Sequence, residues 1–329
     1  MKGKQDRVLC GVDLGGTKIA VALAAPDGGI LGKRSIRDHR GKPEDETVSA
    51  IAAAVRSLLS EKSFEKSFDE SQLLGIGVGT SGHVDNRRGV VVTNSNLPGF
   101  TDYPLQARLQ EHFAVPVSVD NDANAQAYAE FAFGAGRGSG NMCFVTVSTG
   151  IGAGIIIDSR LYRGVTGSAG EIGHTIVNPF STVRCGCGNY GCLMSQASGL
   201  ALPQTVRQKL VRPGVETEID IRGLEDDQIN GELIKKGLDA GDPLCREIVR
   251  EYADYLGIGL YNLFQSYNPG LIVLGGGLTE WGSFYLDRVR RRFYELAGEM
   301  MHEHLEIRPS EIGADAAVLG AAALILEPS

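Results

Sequence analysis

Two stretches of this chain repeat one plan. Val8-Leu-Cys-Gly-Val-Asp-Leu-Gly-Gly-Thr-Lys-Ile-Ala-Val-Ala is an apolar run, a Gly/Thr turn and an apolar return, and Cys143-Phe-Val-Thr-Val-Ser-Thr-Gly-Ile-Gly-Ala-Gly-Ile-Ile-Ile repeats it. Short apolar runs bounded by glycine read as buried strands. Their turns let backbone come close to a ligand, because glycine adds no Cβ. The echo therefore predicts two similar halves, each opening on a β-hairpin. A third run, Leu271-Ile-Val-Leu-Gly-Gly-Gly-Leu, supplies another strand that ends in glycines.

The rest of the chain fits α/β halves. Val48, Ile51, Val55, Leu58 and Leu59 recur at helical spacing within residues 43–60, and residues 74–79 read as a buried strand. Residues 115–119 form a strand that leads into an Ala-rich helix opened by Asp120-Asn-Asp, which puts Asp122 in its first turn. Further amphipathic helices are expected over 245–264 and 285–296, and a short apolar helix over 316–326. No low-complexity tract separates the halves, so the repeat alone places a boundary near residue 122. Residues 1–122 then form an N-terminal lobe closed by the C-terminal helix 312–329, and residues 123–311 form a C-terminal lobe.

Charge narrows the partners. The net charge is −8, with 43% hydrophobic and 22% charged residues, which disfavours broad binding to nucleic acid or to an anionic membrane. The apolar stretch after the charged start is too short for a signal segment or a membrane span. The expected location is cytoplasmic and the expected partner a small molecule.

Several residues carry chemistry. The turn Asp13-Leu-Gly15-Gly16-Thr17-Lys18 gathers backbone N–H groups, a hydroxyl and an ammonium around one point, which is how a phosphate is held. Ser148-Thr149-Gly150 is its counterpart, and Gly275-Gly276-Gly277 offers a flat edge for adenine. Two phosphate hairpins facing each other across a cleft make a nucleotide site. Phosphoryl transfer to a hydroxyl also needs a carboxylate near the acceptor oxygen and a metal on the phosphates. Asp122 fits the first role, since a helix N-terminus favours its ionised form. Asp120 is its rival, and either could serve only as a helix cap. Asp13 is a candidate partner of the metal, directly or through another group.

Cys185-Gly-Cys187-Gly-Asn-Tyr-Gly-Cys192 follows Glu171-Ile-Gly-His174 closely. In a chain without a secretory signal this reads as a Cys₃His zinc site over the loop 174–192, closed and structural, pinning Glu171. Cys10 and Cys143 read as small buried apolar residues.

Taken together, these motifs resemble the ROK family of sugar kinases and repressors over nearly the whole chain. The likeness rests on the Asp13–Lys18 turn, Gly75-Ile-Gly-Val-Gly with Gly82 and Val84-Asp85 following, Asn96-Leu-Pro-Gly-Phe, Asn121-Asp122-Ala-Asn-Ala, Ser148-Thr-Gly-Ile-Gly-Ala-Gly, Glu171-Ile-Gly-His174, the cysteine cluster and Leu274-Gly-Gly-Gly. The resemblance implies an actin-like (ribonuclease H-like) fold of two lobes, ATP with Mg²⁺ in the cleft, a structural Zn²⁺ and a homodimer. It implies transfer of the γ-phosphate to the 6-hydroxyl of a hexose, glucose first and an amino or N-acetylated hexose next, with a non-catalytic sugar sensor as the alternative from another class. Asp122 would be the base. Gly82, Asn96, Asn121, Glu171 and His174 would be sugar contacts. Family repressors carry a DNA-binding domain ahead of the first hairpin, and a hairpin starting at Val8 leads us to expect none here. The chain departs from the pattern at Met194, where the family usually has a glutamate for the C1 and C2 end of the sugar. A thioether accepts hydrogen bonds poorly, so Met194 would give that end a softer wall unless Gln196 or Ser195 takes the hydroxyls.

Overall fold

The computed structural model describes residues 7–61, 68–94, 96–97, 99–298 and 303–328; the charged start 1–6 and Pro98 of the Asn96–Phe100 motif lie outside them. β1 (Val8–Leu14) and β2 (Ile19–Ala24) form an antiparallel hairpin in which Leu14 faces Ile19. β3 (Ile30–Ile36) continues the sheet beyond β2, and β4 (Leu73–Thr80) lies parallel to β1. After a small ribbon of β5 (His83–Asp85) and β6 (Val90–Thr93), β7 (Val117–Asn121) joins β4 in parallel, giving the order β3-β2-β1-β4-β7.

The second sheet follows the same plan. β8 (Met142–Val147) and β9 (Ile151–Ile157) are neighbours, β10 (Arg160–Leu161) extends β9, and β11 (Leu271–Gly275) and β12 (Glu306–Pro309) complete the order β10-β9-β8-β11-β12. Each strand takes the place of its counterpart in the first sheet. The duplication inferred from two glycine turns is thus a duplication of whole sheets. β3, β10 and β12 escaped the sequence reading because they are short or have exposed, mixed faces, with too few buried residues to set a pattern.

α1 (Glu44–Leu59) buries Val48, Ile51, Val55, Leu58 and Leu59 in the core of the first sheet. Each such side chain contributes about 1.5–3 kcal/mol of burial free energy. Three acids in its first turn and Arg56 in its last match the helix dipole. The helices that follow are α2 (Leu105–Gln110), α3 (Asp122–Phe133), α4 (Leu193–Ala197), α5 (Leu202–Leu210), α6 (Gly231–Asp239), α7 (Pro243–Tyr267), α8 (Ser283–Ala297) and α9 (Ala316–Ala323). α9 lies directly on β1 and β4. A Cβ at Gly11 would sit 1.9 Å from the Val318 carbonyl, and one at Gly77 1.7 Å from the Ala321 carbonyl, so only glycine permits this approach.

The chain divides into two compact units, one of residues 1–144, 154–170 and 310–329, the other of 145–153 and 171–309. The division does not fall at residue 122. α3 packs against α9, with a Cβ at Gly320 only 2.2 Å from the Ala125 carbonyl, so both helices belong to the first unit. The buried carboxylate of Glu130 reinforces this, accepting from Ala135 N at 2.8 Å, from Ile312 N at 3.1 Å and from Ser310 Oγ. It fastens the returning C-terminal segment to α3, and every such bond offsets the cost of burying a carboxylate. Among the described residues no helix is long and apolar enough to cross a membrane.

Candidate functional site

In the first unit the chemistry gathers at the ends of β1, β4 and β7. The β1–β2 turn carries Gly15, Gly16, Thr17 and Lys18, the last two exposed. Gly16 lies against Asn96, since a Cβ there would be 2.8 Å from the Asn96 carbonyl. A chain of hydrogen bonds runs between the same two segments. Asn96 Nδ2 donates to Ser81 Oγ (3.1 Å), Ser81 Oγ to Asn94 Oδ1 (3.2 Å), Asn94 Nδ2 to Thr80 Oγ1 (3.1 Å) and Thr80 Oγ1 to the Leu14 carbonyl (3.0 Å). The sequence reading missed Thr80, Ser81 and Asn94, whose role depends on strands brought together only by folding.

Gly82 has φ of +89°, and a Cβ there would meet the Thr93 carbonyl at 2.1 Å. Its carbonyl accepts from Asn121 Nδ2 at 3.0 Å, while Asn121 Oδ1 caps α3 by accepting from Ala123 N at 2.9 Å. These bonds place Gly82, Asn121 and Asp122 side by side. Asp122 is partly exposed, and its Oδ1 also accepts from Ala123 N at 2.9 Å.

Asp120 is committed elsewhere. Its buried carboxylate accepts from Arg163 Nε at 2.6 Å, Asn121 N at 2.7 Å and Asn124 Nδ2 at 2.9 Å. Arg163 in turn donates to Glu327, so a partly buried ion triad stitches the C-terminal segment to the β7–α3 junction. A carboxylate holding three donors is poorly placed to take a substrate proton. Asp13, at the end of β1, is mostly buried; burial and the charge of Asp122 push its carboxyl up to about 6 against the pull of Lys18.

In the second unit the β8–β9 turn is tight, with Ser148 N donating to the Gly150 carbonyl at 2.8 Å. Its outward carbonyls are held from behind: Gly199 N donates to Ser148 O at 2.8 Å and Leu200 N to Thr149 O at 3.0 Å. Gly276 has φ of +91° and lies against β8, where a Cβ would meet the Val147 carbonyl at 2.5 Å. Ser148, Thr149, Leu200, Gly277, Leu278 and Trp281 help line a cavity of about 1010 Å³. That volume is ample for a nucleotide base and sugar.

Glu171 precedes a short turn, Ile172–His174. His174 Nδ1 lies 3.5 Å from Cys185 Sγ, Cys187 Sγ lies 3.7 Å from Cys192 Sγ, and the four ligand atoms all lie within 4.8 Å of one another. Tetrahedral Zn²⁺ with bonds of about 2.3 Å to sulfur and about 2.0–2.1 Å to nitrogen needs edges of roughly 3.5–3.8 Å, which the two short pairs match, so the donor chemistry suits the ion. The other ring nitrogen, Nε2, lies 4.0 Å from Glu171 Oε2, on the partly exposed side. Met194 is half-buried, its Sδ accepting from Ile151 N at 3.3 Å. Its methyl lies against Gly150 and Gly173. Gln196 and Ser195 are occupied within the fold: Gln196 bonds Ser181, Ser195 and Asn178, and Ser195 donates to the Cys192 carbonyl.

The family model of the ROK family matches residues 9–327. The chain belongs to the ROK family. It is 34% identical to a glucokinase of Halalkalibacterium halodurans, over 97% of this chain and 95% of that one. It is also 32% identical to a xylose repressor of Caldicellulosiruptor bescii, over 97% of this chain and 78% of the repressor. Among solved structures, a ROK glucokinase from Streptomyces griseus in complex with glucose and AMPPNP superposes with a TM-score of 0.76 at 34% identity, covering 96% of this chain and 98% of that one. The fold is the actin-like sugar-kinase fold with two lobes, as the resemblance implied.

Proposed function

We propose that this ROK protein is an ATP-dependent hexose kinase that phosphorylates the 6-hydroxyl of a sugar, glucose first. The observation that carries the reading is the contrast between two neighbouring carboxylates: the buried Asp120 holds three donors, whereas Asp122 stands partly exposed at the start of α3 beside Gly82 and Asn121. Asn96, Asn121, Glu171 and His174 bind the sugar hydroxyls, with Gly82 letting backbone approach. Asp122 accepts the proton of the acceptor hydroxyl as the phosphoryl group arrives. The turns at Gly15–Lys18 and Ser148–Gly150 hold phosphate oxygens, and the cavity beside Gly275–Gly277, Leu200 and Trp281 takes the adenine. Asp13 would be the residue that meets Mg²⁺ carried by the nucleotide, an ion that would offset phosphate charge. His174, Cys185, Cys187 and Cys192 hold a structural Zn²⁺ that fixes the Glu171 turn.

Met194 forms a thioether wall in the second unit where a carboxylate would supply hydrogen bonds. It weakens glucose and favours a hexose with a less polar group at C2. The glucokinase relatives support the kinase reading. The xylose-repressor relative supports a rival, a sugar sensor without turnover. An ADP-release assay across a panel of hexoses tests both: sugar-dependent ADP production supports the kinase, and sugar binding without ADP production supports the sensor.

A further inference from the structure

The two phosphate turns are fixed from behind by different means, and the difference singles out His39. In the β8–β9 turn, backbone donors Gly199 N and Leu200 N hold the carbonyls of Ser148 and Thr149. A trans peptide sets its C=O and N–H in opposite directions, so fixing those carbonyls aims the N–H groups of Thr149 and Gly150 the other way. The β1–β2 turn has a side chain in that position. His39 is 3% exposed, and its Nε2 lies 2.9 Å from the Gly15 carbonyl. A carbonyl only accepts, so Nε2 carries the proton. The C=O of Gly15 and the N–H of Gly16 belong to one peptide, and no cis peptide occurs among the described residues.

We infer that His39 is a positioning residue for nucleotide binding: its Nε2–H locks the Gly15–Gly16 peptide so that the Gly16 N–H is aimed at the phosphate before the nucleotide arrives. Two further observations support this role. His39 Nδ1 is buried with no hydrogen-bond partner among the described residues, and a position needing only bulk would take an apolar ring without that penalty. The plane is also braced from other sides, since a Cβ at Gly15 would meet the Lys18 carbonyl at 2.8 Å and one at Gly16 the Asn96 carbonyl at 2.8 Å. A bond accepted at the carbonyl further polarises the amide and strengthens its N–H as a donor. His39 thus does with one side chain what residues 199–200 do with backbone.

The inference rests on the nucleotide reading of the hairpin, and the test separates the two. Calorimetric MgATP binding, KM for ATP and kcat are measured for the parent, His39→Phe and His39→Gln, with thermal unfolding as the control for folding. His39→Phe keeps the ring and removes the donor; nucleotide affinity should fall about tenfold, with a smaller change in kcat. His39→Gln places an amide Nε2 where the ring nitrogen stood and should return affinity to within about threefold of the parent. A long-range ¹H–¹⁵N spectrum of the parent should show the His39 proton on Nε2. Unchanged ATP affinity in a folded His39→Phe, or a parent ring protonated only on Nδ1, overturns the inference while leaving the kinase reading intact. A parent that binds no nucleotide overturns both. Should His39→Phe fail to fold, the ring tautomer and the His39→Gln affinity decide the matter, and an Nδ1–H ring or a Gln variant that has lost ATP binding counts against it.

Discussion

Replacing Asp13 by asparagine should stabilise the ligand-free protein at neutral pH. Burial first, and the charge of Asp122 second, raise the Asp13 carboxyl from its ordinary 3.8 to about 6. The folded state therefore holds this proton more tightly than the unfolded chain does. With more protons bound in the folded state, stability falls as pH rises from about 4 to about 6 and is flat above that window. At 1.36 kcal/mol for each tenfold change in proton affinity, the ionised carboxylate costs up to about 3 kcal/mol at pH 7.5, and residual solvent around a group that is not wholly buried reduces this. Asparagine mimics the neutral acid in shape and never ionises. Urea unfolding of parent and Asp13→Asn at pH 4, 5, 6 and 7.5 reads the effect directly. The variant should match the parent near pH 4 and gain stability by about 2–3 kcal/mol by pH 7.5. MgATP should narrow the gap by stabilising the parent more than the variant, because a cation beside Asp13 offsets the repulsion that asparagine lacks. A stability difference that does not change with pH would refute the reasoning.

Two other substitutions follow from the second unit. Purified protein should contain about one zinc per chain, and Cys187→Ser should lose both the metal and several degrees of Tm, because structural zinc is coupled to local folding; elemental analysis showing no zinc in chelator-free protein contradicts this. Met194→Glu should lower the KM for glucose by about one to two powers of ten, and shift a C2-substituted hexose the opposite way, because hydrogen bonds to a charged acceptor are worth about 1.5–3 kcal/mol each. Unchanged KM values for both sugars would show that residue 194 serves only the contacts it makes with Gly150, Ile151 and Gly173.

The duplicated architecture was legible because its signal is local: each glycine turn and its two flanking apolar runs fit within a stretch of fifteen residues. The clustering of His174, Cys185, Cys187 and Cys192 was legible for the same reason, their spacing being short enough to fold onto one point. Groups joined across the chain were not. Arg163 meets Asp120 and Glu327, and Glu130 meets Ser310 and Ile312, only after the sheets and α9 are assembled. The sequence favoured Asp122 over its rival Asp120 but gave no partner for Asp120, and it is Arg163, distant in sequence, that engages the Asp120 carboxylate. His39 gave no signal either, as a single histidine after an exposed strand reads as surface until its ring is seen behind Gly15.

The central claim, that Asp122 takes the proton from a sugar hydroxyl, is tested most directly by sugar-dependent ADP release from Asp122→Asn beside the parent, with sugar affinity measured separately by calorimetry. Asparagine keeps the shape and much of the hydrogen bonding but cannot accept the proton. The account predicts that turnover falls by about 10² to 10⁴ while sugar affinity stays within a few-fold of the parent. An Asp122→Asn variant that turns over sugar at near the parent rate would contradict it.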